Sequence, residues 1–111
     1  MQKGMTSSDF IEGIYLVITT ELDKKNAYKI VNLLLREKLI PCITLRDIES
    51  HFWWEGDLNQ SKEVQLIFKC KEENINKVCD KISEFHSYKV PEIVYFPVSA
   101  SKDYHDWVNS F

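Results

Sequence analysis

The sequence predicts an α+β sandwich, one sheet backed by two helices, and three observations predict it. Apolar β-rich runs alternate with two apolar stripes at helical spacing. A long extended stretch doubles back at Glu55-Gly56-Asp57. At 111 residues the chain has room for one ordinary domain, so these elements must share one core.

The first strand is read from Gly13 to Glu21, where Ile14, Tyr15, Leu16, Val17, Ile18 and Thr19 are apolar or β-branched on both faces, as in a central strand. Asp23 suits a helix cap, and Ala27, Ile30, Val31, Leu34 and Leu35 follow at helical spacing, predicting a helix that ends near Leu39, before Pro41. Cys42 to Trp54 reads as extended. Gly56 can take a positive φ in the turn, and Glu63 to Lys69 returns as the other arm of one hairpin. Ile75, Val78, Cys79, Ile82 and Phe85 mark a second helix ending around His86. After Pro91, Ile93 to Val98 makes a short strand that Pro97 places at an edge. Tyr104, Trp107, Val108 and Phe111 then give a short terminal helix behind Ser101. The order β-α-β-β-α-β is the ferredoxin-like split βαβ arrangement, here with a long β2-β3 hairpin and an added C-terminal helix. Residues 1–12 are polar and lack the apolar centre of a signal peptide, so they are expected to be a flexible start to a single domain at 13–111.

Composition narrows the function. Apolar residues make up 44% and charged residues 28%, a globular balance. Fourteen Lys and Arg against seventeen Asp and Glu leave a net charge of -3, without the cationic field that holds a phosphate backbone. Nucleic acid is therefore not an expected partner. A membrane is not expected either, because no apolar run approaches the roughly 20 residues of a span. Cys42, Cys70 and Cys79 are odd in number and widely spaced, which predicts buried free thiols in a reducing, cytoplasmic setting.

Phe52, Trp53 and Trp54 are consecutive, so at least one large ring must emerge on the face opposite the others. Two helices can shield only one face of the sheet. The second face is expected to be buried against copies of the same chain; the alternative is a hairpin that curls until its rings pack locally.

Several blocks together resemble the CutA family of divalent-cation tolerance proteins: Trp54-Glu55-Gly56, then Glu63 and Lys69, His86-Ser87-Tyr88-Lys89-Val90-Pro91-Glu92, and Tyr104-His105-Asp106-Trp107. Leu39-Ile40-Pro41-Cys42 fits the same family, and the resemblance runs from Ile14 to Ser110. It implies a ferredoxin-like subunit in a tight homotrimer similar in architecture to the PII signalling proteins. It also implies tolerance of copper and other divalent cations, with no catalytic activity. Copper or another divalent cation is thus the one cofactor to consider. The ligands proposed in some bacterial members are a cysteine at the end of the first strand and two adjacent histidines. Thr19 stands at the cysteine position and Phe85-His86 at the histidine pair, so His86 alone survives as a metal candidate. The family's usual proline after that histidine is Ser87.

His86 also has a bland reading, as a helix C-terminal residue favoured by the helix dipole. Trp54, Glu63, Lys69, Tyr88 and Glu92 are the candidate lining of an intersubunit cleft for a small ligand, or else polar fasteners of the trimer. Glu63 and Lys69, six apart on one strand, share a face. Phe52, Trp53, Tyr104 and Trp107 are assigned to the core or the trimer contact. Enzymes with this strand order that cleave acyl phosphates need an Arg and a glycine-rich turn after the first strand; Thr19-Thr20-Glu21-Leu22-Asp23 has neither. An RNA-binding sheet of the same topology needs a basic, aromatic strand that Glu63 to Phe68 does not supply.

Overall fold

The computed structural model describes Gly4 and residues 9–111. Most of the expected start at 1–12 lies outside the described residues.

β1 (Phe10–Glu21) begins earlier than expected: Phe10, Ile11 and Glu12 pair with Ser101, Ala100 and Ser99. The register then slips between Glu12 and Ile14, where Gly13 has φ +128°. A side chain there would meet His105 Nε2 at 2.7 Å, so both the backbone angle and the close approach call for glycine. Sequence periodicity does not show a bulge, which is why the strand was read as starting at this glycine.

α1 (Lys24–Arg36) starts as expected. Asp23 is extended and its Oδ1 accepts the Asn26 N–H at 2.9 Å. Its buried stripe is Ala27, Ile30 and Leu34. The helix closes with Lys38 at φ 56°, while the Leu39 N–H reaches back to the Leu34 carbonyl at 3.1 Å. β2 (Cys42–Trp54) and β3 (Asp57–Lys71) form one antiparallel hairpin. Glu55 and Gly56, both at positive φ, are its two-residue turn, the form whose twist suits paired strands. After one 3-10 turn, α2 (Ile75–Phe85) buries Ile75, Val78 and Ile82. Phe85, expected in that stripe, is exposed at the helix end with Lys81 Nζ over its ring. β4 (Ile93–Ser101) and α3 (Lys102–Asn109) complete the chain.

The sheet order is β2-β3-β1-β4, with all neighbours antiparallel, so β1 is central and Pro97 lies on an edge strand. This is the expected ferredoxin-like layout. Val17, Leu66 and Phe68 face α1 and α2 and are fully buried with Ile30, Leu34, Val78 and Ile82. The alternate residues point the other way, and Val94 and Phe96 are exposed there.

Two features shape the site. First, β1 runs out before the hairpin does: its last pair with β3 is Glu21 with Val64. Beyond it, Ile48 to Trp54 and Asp57 to Glu63 pair only with each other. Second, α3 turns a stripe of His105 and Val108 inward, so Val108 is buried while Tyr104 and Trp107 are exposed. Those two rings were assigned to the core or the trimer contact. In the single chain they are not core but part of an outward ladder, Tyr104 to Trp107 at 5.7 Å and Trp107 to Phe111 at 5.6 Å. Of the stripe read from helical spacing, Val108 is the residue that the single chain buries.

Candidate functional site

The overhanging hairpin and the segment 86–92 enclose a cleft of about 770 Å³. Phe52 and Trp54 lie two apart on β2 and share a side, and Ser61 and Glu63 do so on β3. Tyr88 and Glu92 close it from the segment between α2 and β4, and Thr20 and Leu22 from the end of β1.

The closing segment is held by a buried cluster. His86 caps the C-terminus of α2, but its ring turns toward the end of β1. Nε2 lies 2.6 Å from the Thr20 carbonyl and 3.1 Å from Thr19 Oγ1, while Nδ1 accepts the Tyr88 N–H at 3.0 Å. A carbonyl only accepts, so Nε2 donates there, and both ring nitrogens are engaged, with Glu21 Oε2 3.6 Å from Nδ1. The His86 and Glu21 side chains have no exposure. Glu21 accepts from the Leu22 N–H at 2.7 Å, from the Ser87 N–H at 3.0 Å and from the Ser87 hydroxyl. Proline has no N–H, so the second of these bonds exists because Ser87 stands where the family usually has proline. The hydroxyl bond depends on the same residue. Farther out, the Tyr88 hydroxyl donates to Glu63 Oε2 at 2.5 Å. Burial, with this bond adding to it, pushes the Tyr88 phenol above its ordinary range.

Of the five cleft candidates, Trp54, Glu63, Tyr88 and Glu92 meet in the cleft and Lys69 does not. Lys69 shares the face of Glu63 but sits six residues away, about 20 Å along the strand, where it donates to Thr44 Oγ1 at 3.0 Å. Same-face periodicity places residues on one side of a sheet without placing them in one site. Glu21 and Ser87 were not foreseen as a pair. The signal was present in a serine that supplies an N–H where proline would not, but its acceptor lies 66 residues earlier.

Of the three positions that the resemblance assigns to copper, Thr19 and His86 touch, while Phe85 is exposed at the helix end. Their chemistry does not fit the ion. Thr19 offers a hydroxyl where copper favours thiolate or imidazole, and the Nδ1 lone pair of the His86 ring already accepts the Tyr88 N–H. Among the described residues, no group of three or more His, Cys, Asp or Glu side chains is placed to hold a metal ion. The cysteines are free: Cys70 is buried, its thiol pushed up to about 12 by burial, while Cys42 and Cys79 are half-buried. No helix among the described residues is long and apolar enough to cross a membrane.

The model of the CutA1 divalent ion tolerance protein family matches residues 15–110. The chain belongs to that family. Its relatives include the divalent-cation tolerance protein CutA of Pyrococcus horikoshii, 38% identical over 94 residues that span 84% of this chain and 92% of that protein. The Yersinia pestis protein of the same name is 36% identical, covering 86% and 82%. Among solved structures, the periplasmic divalent cation tolerance protein CutA from Archaeoglobus fulgidus superposes with a TM-score of 0.84 at 31% identity, covering 87% and 96%. CutA from Synechococcus elongatus reaches 0.86 at 26% identity, covering 93% and 95%. Membership carries the function class, divalent-cation tolerance, and fits the four-stranded α+β fold.

Proposed function

We propose that this CutA1 family member acts as a cytoplasmic homotrimer of PII-like architecture, without catalytic activity, and that its working site is the cleft under the overhanging hairpin. Its part in divalent-cation tolerance then runs through binding of a small ligand or partner in that cleft, and not through copper held by His86. The hairpin carries the assembly reading. A two-stranded ribbon is marginal by itself in water, yet this one presents Trp53 at 71% exposure and Leu58 at 66%, directly opposite one another. Phe52 and Trp54, on its other face, are left to the cleft. Patches of this kind mark contacts, and homomeric interfaces are apolar. The saturated hydrogen bonding of His86 supports the metal-independent part.

The test is calorimetric titration with copper and with zinc, on the unmodified chain and on His86→Ala, with the native mass measured after chelator treatment. The expected result is the same weak metal response in both chains and an unchanged multi-chain mass. Copper binding that disappears with His86, or assembly that requires the ion, contradicts the proposal.

A further inference from the structure

We propose that the cleft takes an organic cation, an alkylammonium group about the size of choline, a reading that rests on the cleft being the working site. Three observations converge on this chemistry. Phe52, Trp54 and Tyr88 line the cleft, and aromatic rings attract cations over their faces. Glu63, only 8% exposed, reaches the same space with the Tyr88 hydroxyl as its hydrogen-bond partner and no ion pair among the described residues. Buried carboxylates are ordinarily paired with a positive group. The charge around the cleft is also lopsided. Glu92 sits on its rim and the buried Glu21 lies directly behind Ser87, while Lys89 is the one lysine or arginine in the lining among the described residues. His51, the other basic side chain there, is engaged by Glu49 at 2.8 Å. Walls of low polarity with carboxylates behind them concentrate a negative field, which excludes anions and draws in cations. A volume of about 770 Å³ suits a small molecule. A bare divalent ion is less suited, since among the described residues no three His, Cys, Asp or Glu side chains converge to hold one.

The experiment is a tryptophan fluorescence titration with choline and with 3,3-dimethylbutan-1-ol, its neutral isostere, the native mass being measured on the same samples. Choline is expected to saturate, and the isostere to bind at least about tenfold more weakly. Glu63→Gln, which keeps an acceptor for the Tyr88 hydroxyl, is expected to weaken choline about tenfold and to leave the isostere unchanged. Glu92→Gln, on the exposed rim, should weaken choline by a smaller factor and serves as the decisive variant if Glu63→Gln melts early. Equal binding of the two probes, no saturation by choline, or unchanged choline affinity in the variants overturns the inference. A chain that runs as a monomer and still binds choline sinks the assembly reading alone. A trimer that ignores choline sinks this inference alone.

Discussion

The two halves of the long hairpin are built from the same two strands and meet different fates. In the half nearer the helices, β2 and β3 are joined by β1 and β4, and Leu66 and Phe68 are fully buried beneath α1 and α2. In the far half the same strands pair only with each other, and Trp53 and Leu58 stand in the open on the face that the helices no longer reach. The pairing of β2 with β3 is continuous, while the cover changes and the β3 arm turns from apolar at Val64, Leu66 and Phe68 to mostly polar from Asn59 to Glu63. Under the proposed assembly, one half is stabilised by its own chain and the other by a neighbour.

Substitutions in the two halves should therefore be read by different instruments. Phe68→Ala removes a ring from the closed core and is expected to cost about 3–5 kcal/mol in urea unfolding. A loss below 1 kcal/mol would show that the near half is not the self-sufficient one. Trp53→Ala touches a side chain that in a lone chain should matter by no more than about 0.5 kcal/mol. Here it is expected to lower the native mass and the melting temperature together, and an unchanged mass breaks the comparison.

Ser87→Pro probes the segment that closes the cleft. It removes two donors from the buried Glu21 carboxylate, at a cost of about 1–3 kcal/mol if the carboxylate is left short of partners. A variant as stable as the parent would mean that Glu21 finds other donors and that the closing segment is held elsewhere. The smallest effect is one of pH. Because burial and Glu63 raise the Tyr88 phenol above its ordinary 10.0, the folded state favours the neutral form. That contribution is complete below pH 10 and is lost as pH rises through the raised value. The melting temperature of the parent should fall more steeply above pH 10 than that of Tyr88→Phe; parallel curves contradict the assignment.

Much of the fold was legible because periodicity is a local signal. The Asp23 cap, the Glu55-Gly56 turn, the edge strand with Pro97 and Ala27, Ile30 and Leu34 of the α1 stripe stand where spacing put them, while Leu35 is exposed. The bulge at Gly13 was not legible, since its reason is His105, which lies far along the chain and fills the space a side chain would need. For the same reason the cleft was read only in part. Within the single chain Trp54, Glu63, Tyr88 and Glu92 converge, while Lys69, on the same strand face as Glu63, lies farther along the sheet. Glu21 was hidden because a glutamate at a strand end reads as solvated until Ser87 is seen against it. His86 was legible as important and illegible in role, since its hydrogen bonds to Thr19, Thr20 and Tyr88 exist only after folding.

The most direct measurement is sedimentation equilibrium of the unmodified chain, with iodide quenching of its tryptophans on the same sample. The account predicts a mass three times the 13.1 kDa of one chain, with Trp53 shielded from the quencher. A single-chain mass, with a cooperative melt and Trp53 freely quenched, would contradict it.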